Sequence, residues 1–330
     1  MNFYISLIVF NICLVLLNNF FAEFFKLYDH PNNDRKFHKA TTPLTGGLII
    51  ILNLIFYFFY LESFHIDSSI FLTKSNFYIF LPTCIALYIF GVVDDKFSIS
   101  PNKKFVLLIF IILPIIILDR NASLSLIRLS FLSQDYSIGN FSILWTLICF
   151  LLLLNAINMF DGINLQVGFY ALFVFIFFIL NDFNKAFFIS LSVGIISFLI
   201  LNFRSKSFLG DGGAYLLSFL LGYSFIKMYN LNVILHTDQV VLFMLIPGLD
   251  LMRLFIIRIL NKKHPFSADR NHLHHLLLKK ISYYKVIFII QLLIFLPVSI
   301  NLIFGHTLIC LFLTLIAYSS LIYYLKKNKN

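Results

Sequence analysis

Polar residues that could bind phosphate or a metal ion occur in five short groups, at residues 29–47, 94–104, 155–164, 204–213 and 261–275. The second group contains a pair of adjacent acids. Asp94 and Asp95 end an apolar run and are followed by Lys103 and Lys104. Adjacent carboxylates repel each other and attract a cation, and their hard oxygen atoms suit a Mg²⁺ ion that bridges phosphates. The alternative interpretation is a solvated helix end, where acidic pairs are common.

Another group combines amides and an acid at regular spacing. Asn155, Asn158 and Asp161 are three residues apart, so on a helix they share one face. Their oxygen atoms could serve a metal ion or sugar hydroxyls. The alternative is a helix that Asp161 and Gly162 close as a turn, and the sequence leaves both interpretations open.

A third acidic position lies in the run Gly210-Asp211-Gly212-Gly213, which opens an apolar segment. A carboxylate and free backbone N–H groups at a helix N-terminus can bind an anion, directly or through a metal ion held by Asp211. An ordinary aspartate cap is the alternative. The chain contains neither the GxxxxGK[ST] pattern of a P-loop nor the Rossmann GxGxxG pattern, so these two kinds of nucleotide site are excluded.

The loop from His264 to His275 contains four of the nine histidines. A zinc site is conceivable, but no cysteine or carboxylate completes an accepted spacing nearby. Histidines beside Arg270 are better suited to hydrogen bonds with phosphate or sugar oxygens, and a polar surface loop is the alternative.

One acid and one base lie inside an apolar segment. Asp250 and Arg253 are three residues apart, and an unpaired charge there would be costly. We therefore expect the two to pair. Such a pair would also let Arg253 organise the neighbouring polar site.

The elements that position these groups are membrane helices. The 330 residues are 60% hydrophobic and 12% charged, with a mean hydropathy of +0.92, which is too apolar for a soluble domain. The sequence predicts one all-α, polytopic transmembrane domain over residues 1–330. At about 20 residues per crossing, we mark eleven spans, with ten or twelve as alternatives: 3–25, 44–62, 77–93, 105–118, 141–157, 165–180, 186–202, 213–230, 238–260, 283–303 and 306–325.

The distribution of positive charge predicts the orientation. Of the 25 Lys and Arg residues, eighteen fall on one side with the C-terminal tail, and Arg253 and Lys285 lie inside spans. The remaining five are assigned to the opposite side: Lys74, Arg120, Arg128, Lys185 and Lys227. Short loops rich in Lys and Arg are cytoplasmic, so we expect the tail and all five polar groups in the cytoplasm and the N-terminus outside.

No separate basic domain is present, so nucleic acid is not a predicted partner. The four cysteines lie in apolar runs and predict neither a disulfide framework nor a metal site.

In this order, the polar groups resemble the motifs of the polyprenyl-phosphate N-acetylhexosamine-1-phosphate transferase superfamily, glycosyltransferase family four. The resemblance is to its bacterial UDP-GlcNAc:undecaprenyl-phosphate branch and runs from about residue 29 to residue 275. It rests on DHPNNDRKFHKATTPLTGG at 29–47, the acidic pair with Lys104, the N-x-x-N-x-x-DG pattern at 155–162, F-x-GD at 208–211, and DRNHLHH at 269–275. The predicted spans over 283–325 follow these motifs.

The resemblance implies a reaction, a cofactor and site residues. A UDP-sugar would donate N-acetylhexosamine 1-phosphate to undecaprenyl phosphate, releasing UMP. The product would initiate a cell-envelope polysaccharide, such as a cell-wall polymer or lipopolysaccharide O-antigen, at the bacterial cytoplasmic (inner) membrane. By this likeness the catalytic residues are Asp94, Asp95, Lys104 and Asp211, and Asn158 and Asp211 hold Mg²⁺, with Mn²⁺ as an alternative. The implied substrate-binding residues are Arg35, His38, Asn155, Asp161, Asn164, Arg270, His272, His274 and His275. Besides the two substrates, membrane lipids are expected partners, and a homodimer is one oligomeric alternative.

The chain departs from the family pattern after Gly162. Many bacterial members read DGL where this chain has Asn164-Leu165-Gln166, and Ala214 replaces a usual serine. The sugar and nucleotide preference is therefore open, and the same chemistry with another UDP-sugar is an alternative. A transporter for an anionic lipid, gated by Asp250 and Arg253, is the alternative outside catalysis. Clusters at one interface favour an enzyme, and no internal repeat supports a transporter.

Overall fold

The computed structural model describes residues 2–30, 41–64, 74–265 and 270–327. Two predicted substrate-binding residues, Arg35 and His38, lie outside the described residues. Helices dominate, with 77% of the residues helical, so the predicted all-α class is confirmed.

The described part of the chain contains thirteen α-helices. They are α1 Phe3–Leu16, α2 Asn18–Phe25, α3 Gly46–Phe64, α4 Lys74–Phe97, α5 Pro101–Leu118, α6 Ser142–Phe160, α7 Gln166–Leu180, α8 Lys185–Phe203, α9 Gly210–Asn230, α10 Thr237–Leu260, α11 Leu273–Leu278, α12 Tyr283–Phe304 and α13 Thr307–Lys327. Two short antiparallel pairs complete the fold. Strand β1 Tyr28–Asp29 pairs with β2 Thr42–Pro43, and β3 Leu126–Ile127 pairs with β4 Tyr136–Ser137.

Seven of the described helices are long and apolar enough to cross a membrane, and the bent pair α1–α2 would make eight. The protein is thus a multi-pass membrane protein. A helix, or the bent pair, lies at each of the eleven predicted spans. Three of these helices, α3, α7 and α9, are not among the candidate spans, and the apolar parts of α3 and α7 are shorter than the others. Every residue of α9 from Gly212 to Tyr229 is buried, and a helix screened from lipid by its neighbours can be less apolar. The total of eleven crossings stays a prediction.

Glycines allow α3 and α4 to approach α9 closely. A Cβ atom on Gly91 of α4 would lie 2.2 Å from the backbone N of Gly212, and one on Gly47 of α3 would lie 2.6 Å from the N of Gly213. Because no side chain separates the backbones, the C-terminal end of α4 lies directly beside the start of α9. The start of α3 is fixed there as well, since the N–H of Gly46 donates to the carbonyl of Phe208 at 2.9 Å.

One assignment in the charge count is wrong. The charge count assigns Lys227 to the loops of the side opposite the C-terminal tail, but it lies in the last turn of α9, fully buried, with its Nζ 2.5 Å from Asp119 Oδ2. A lysine enclosed by protein and paired with an acid does not report which side a loop occupies. Without it, the comparison is eighteen residues against four.

Candidate active site

The acidic pair of α4 meets the first turn of α9. Asp95 Oδ2 accepts a hydrogen bond from the N–H of Asp211 at 3.0 Å. Gly210, immediately before Asp211, has a φ of +72°, and a Cβ there would lie 2.9 Å from the same Asp95 oxygen. The carboxyl group of Asp95 therefore caps the N-terminus of α9.

The end of α6 brings a third helix to the same place. Asn158 Nδ2 donates a hydrogen bond to Asp211 Oδ1 at 2.9 Å. Asp95, Asn158 and Asp211 come from α4, α6 and α9, which are far apart in the sequence. The structure thus brings together the three helix ends that the sequence predicts to meet.

Lys104, in the first turn of α5, lies between two of the acids. Its Nζ is 2.5 Å from Asp94 Oδ2 and 3.9 Å from Asp211 Oδ2. The other oxygen of Asp94 accepts the N–H of Ile99 at 3.0 Å, so both oxygens of this buried carboxylate are engaged. Asp94 is therefore placed to hold Lys104 and the turn between α4 and α5, rather than to act as a free base.

The site carries more negative than positive charge. Asp161 follows the last residue of α6, and burial together with the charge of Asp211 raises its pKa to about 7. The group then contains four carboxylates, those of Asp94, Asp95, Asp161 and Asp211, beside Lys104. Like charges at short range disfavour simultaneous ionisation, so a further cation would stabilise the group.

The donor atoms of the site fit a magnesium ion whose coordination is completed by oxygen atoms of the substrate. Mg²⁺ is typically bound through one or two carboxylates plus substrate phosphates and water, rather than by an all-protein cage. Accordingly, no group of three or more His, Cys, Asp or Glu residues in the described chain could hold a metal ion by itself. Asp211 offers a carboxylate, and half a turn of the Asn158 amide would direct its Oδ1 to the same space. These two residues fit such an ion.

The histidine loop borders the site through Gly162. A Cβ on Gly162 would lie 1.9 Å from Nε2 of His274, so the ring of this buried histidine lies directly against the turn after α6. The rings of His272 and His274 stack at 5.5 Å, with planes 7° apart. Burial lowers the pKa of His274, and burial with the charges of neighbours such as Arg270 lowers the pKa of His275 to about 4. His274 and His275 are thus uncharged near neutral pH.

The pair inside α10 forms as predicted. Arg253 Nη2 is 2.7 Å from Asp250 Oδ1. The same guanidinium nitrogen donates to the carbonyl of Asn271 at 2.6 Å, so the pair also holds the histidine loop. Arg270, in that loop, is exposed.

Two predicted substrate-binding asparagines are turned to other partners. Asn155 donates its amide to the carbonyl of Leu151 in its own helix at 2.7 Å. The amide nitrogen of Asn164 lies 3.0 Å from both the carbonyl of Asn202 and Oγ of Ser205. The predicted substrate contact of Asn164 therefore has no support from its amide nitrogen, which holds the loop after α8.

The departure beside Asn164 has a visible conformation. Leu165 has a φ of +72°, a left-handed backbone that favours glycine, and it stands where many members of the resembled family have glycine. Its N–H donates to Asn202 Oδ1 at 2.6 Å, and the hydroxyl of Tyr283 donates to the carbonyl of Asn164 at 2.8 Å. These bonds hold the turn in place despite the leucine.

Sequence reasoning missed some of the residues that shape the site. Asn202 is one, and its position at the end of an apolar run, just before a polar loop, is the signal that could have identified it. Tyr318 of α13 is another, since its hydroxyl donates to Asp250 Oδ1 at 2.9 Å. Nothing in the sequence distinguishes it from the 15 other tyrosines of the chain.

Comparison with known proteins covers the same residues. The profile of glycosyl transferase family 4 matches residues 77–229, which include the acidic pair, Lys104, Asn158 and Asp211, whereas the histidine loop lies beyond it. An undecaprenyl-phosphate alpha-N-acetylglucosaminyl 1-phosphate transferase of Escherichia coli O157:H7 is 25% identical over 83% of this chain and 75% of its own length.

Relatives from two other bacteria agree. A probable undecaprenyl-phosphate N-acetylglucosaminyl 1-phosphate transferase of Bacillus subtilis strain 168 is 26% identical over 76% of this chain and 69% of its own length. A Thermotoga maritima protein with the same name as the Escherichia coli relative is 26% identical over 82% of this chain and 79% of its own length. These matches centre on the residues that converge in the structure, and over residues 77–229 the chain is similar to glycosyl transferase family 4.

Proposed function

We propose that this protein transfers N-acetylhexosamine 1-phosphate, with GlcNAc as the preferred sugar, from a UDP-sugar to undecaprenyl phosphate. The observation that carries the proposal is the meeting of Asp95, Asn158 and Asp211, from three helix ends, beside Lys104. The names of the bacterial relatives give the substrate classes.

In this reaction an oxygen of the lipid phosphate attacks the phosphorus that carries the sugar. The bond from that phosphorus to the UMP oxygen breaks, and UMP leaves. A phosphate monoester with a second pKa near 6 is already mostly ionised at neutral pH, so the attack needs no obligatory base. Lys104, held by Asp94, is suited to orient the lipid phosphate, and it lies close enough to Asp211 to keep that phosphate beside the donor.

Asn158 and Asp211 would hold Mg²⁺, or alternatively Mn²⁺. When bound, the ion supplies positive charge that offsets the charge on the diphosphate and on the departing UMP. Without it, the four carboxylates would repel an anionic donor. The histidine loop, with exposed Arg270, would contact the sugar phosphate from the opposite side of the Asp161–Gly162 turn.

The proposal includes a location. The Lys and Arg distribution favours a bacterial inner membrane protein with the active site and C-terminus in the cytoplasm and the N-terminus outside. The product would be the lipid-linked sugar that initiates a cell-envelope polysaccharide. The alternative of an anionic-lipid transporter is less favoured, because the acidic group around Lys104 lies at helix ends rather than along a path through the helices. Mass measurement in detergent would decide between a monomer and the proposed homodimer.

The test is the release of UMP by the purified protein from a panel of UDP-sugars with undecaprenyl phosphate and Mg²⁺. We expect release that depends on both the lipid and the divalent cation, and that is fastest with UDP-GlcNAc. If UMP release is fastest with a different UDP-sugar, the preferred sugar is not GlcNAc, but the proposed reaction class still holds. No release with any donor, together with movement of the lipid between leaflets, would favour the transporter.

A further inference from the structure

A single carboxylate in α10 binds both the side chain and the backbone of the histidine loop. Asp250 Oδ2 is 2.8 Å from Nδ1 of His272, and Asp250 Oδ1 accepts the N–H of Leu273 at 3.1 Å. The same Oδ1 also accepts from Arg253 at 2.7 Å and from the Tyr318 hydroxyl at 2.9 Å. The side chains of Asp250 and His272 are only 5% and 9% exposed.

These contacts determine which nitrogen of His272 carries hydrogen. Asp250 accepts three hydrogen bonds at Oδ1 and sits beside a guanidinium, so it is an ionised acceptor. A carboxylate cannot donate, and Nδ1 of His272 must therefore be the donor. The second ring nitrogen, Nε2, is left for another partner. His272 stacks on His274, which lies against Gly162 at the edge of the acidic group.

We propose that Asp250 is a positioning residue that fixes the ring orientation and Nδ1–H tautomer of His272, so that Nε2 accepts a hydrogen bond from a hydroxyl or the N-acetyl N–H group of the donor sugar. This inference rests on the proposed function. The pair of Asp250 and Arg253 inside α10 then has two roles. It neutralises a buried charge, and it contributes to donor recognition through His272. Tyr318 and Arg253 serve the same end by holding the Asp250 carboxylate.

The geometry makes Asp250→Asn an informative substitution. Arg253, Tyr318 and the N–H of Leu273 all donate to one oxygen, so the asparagine carbonyl would take that position. Its NH₂ group would then face Nδ1 of His272 and donate to it. The substitution thus moves the ring hydrogen from Nδ1 to Nε2 with no change in side-chain size.

The test is a double-mutant cycle on kcat/KM for UDP-GlcNAc, using Asp250→Asn, His272→Ala and the double variant. We expect Asp250→Asn alone to lower kcat/KM by on the order of 10-fold to 100-fold, as loss of a partner that orients a ligand commonly does. In the His272→Ala background we expect Asp250→Asn to change kcat/KM by less than about 3-fold, because coupled residues are not additive. Equal factors in the two backgrounds would overturn the proposal.

A matched control separates positioning from stability. Asp119→Asn also removes the charge of a buried carboxylate paired with a cation, here Lys227, at the other end of the helices. We expect it to lower thermal stability while leaving the kcat/KM of the folded protein unchanged. A comparable fall in kcat/KM for Asp119→Asn would attribute the Asp250 effect to general destabilisation and contradict the proposal.

Two further measurements keep the outcome decisive. If Asp250→Asn does not fold, Tyr318→Phe removes one donor to the same carboxylate and should lower kcat/KM by a few-fold in a His272-dependent manner. A Tyr318→Phe effect of the same size with and without His272 would count against the positioning role. The wild-type protein is assayed alongside, and its failure to release UMP would reject the proposed function rather than the role of Asp250.

Discussion

Helices α5 and α9 each carry a charged residue at both ends, and the two ends have opposite character. At one end, Lys104 and Asp211 belong to the candidate active site with three more carboxylates nearby. At the other end, about 25 Å away along a helix of this length, Asp119 and Lys227 form one buried pair. The same two helices therefore support an electrically unbalanced site and a balanced one.

The balanced end has its partners within the protein. Asp119 Oδ2 accepts the Tyr223 hydroxyl at 2.6 Å and lies 2.5 Å from Lys227 Nζ, and Oδ1 accepts the N–H of Asn121 at 3.1 Å. A buried pair with this many bonds has no need of a ligand. At the unbalanced end, several acids share one lysine, and a cation with a phosphate would complete it. The difference indicates that excess charge, rather than burial of charge, marks the site that binds substrate.

The largest effect is expected from Asp211→Asn. This change removes the carboxylate that contacts both Asn158 and Lys104, and with it one proposed Mg²⁺ ligand. We expect UMP release to fall by on the order of 10³-fold, comparable to the loss of a principal electrostatic group in other enzymes. The fold should persist, because a less repulsive site does not strain the helices. Near-normal turnover of the purified variant would contradict this interpretation, since the unbalanced end would then not be the site of transfer.

Gly91→Ala tests whether the close helix approach creates the site. The new Cβ would meet backbone atoms of Asp211 and Gly212 at 2.2–2.4 Å, so α4 and α9 must separate. Overpacking of this kind costs about 1–3 kcal/mol, and we expect a lower melting temperature and a fall in kcat of at least about 10-fold, since misplacement by about 1 Å can cost 100-fold. The matched control is Gly248→Ala in α10, where a Cβ meets nothing within 4 Å. If both variants behave alike, close approach is not what positions Asp95 beside Asp211.

Much of the unbalanced end could be predicted, and little of the balanced end. Asp95, Asn158 and Asp211 stand out because each is polar at the end of an apolar run, in motifs of characteristic spacing. Their convergence then follows from placing all helix ends on one side. The pair Asp119–Lys227 joins residues 108 positions apart, with no motif around either. Only the contact between the turn after α5 and the end of α9 brings them together, so the sequence suggested a loop lysine.

Side-chain partners are harder to predict than positions. The resemblance implies that Asn164 binds substrate, yet its amide nitrogen reaches Asn202 and Ser205. An amide can satisfy its hydrogen bonds in many directions, and the choice depends on the tertiary position of the loop after α8. The pair Asp250–Arg253 was predictable because a helix places residues three apart on one face, where charges in an apolar segment must find partners.

Asp119→Asn tests how much the buried pair at the balanced end contributes to stability. Removing one partner of a buried ion pair leaves an uncompensated charge, which typically costs about 3–5 kcal/mol in soluble proteins. We expect a clear fall in melting temperature. Lys227→Met combined with Asp119→Asn should recover much of the loss, because no charge is then left buried. No recovery in the double variant would show that Asp119 stabilises the protein through Tyr223 and the backbone rather than through Lys227.

The smallest expected effect concerns Asp161 and pH. Its pKa in the folded protein is raised to about 7 by burial and by Asp211, above the ordinary value of about 4. The folded state therefore binds this proton more tightly than the unfolded state, and stability falls as pH rises from about 4 to about 7. Without divalent cations, the melting temperature of wild type should drop over this window more than that of Asp161→Asn, by a few degrees. Mg²⁺ should reduce the difference, because a cation near Asp211 offsets the repulsion that ionised Asp161 meets. Identical pH profiles for the two proteins would mean that Asp161 does not share the excess charge of the site, and the unbalanced group would then contain one acid fewer.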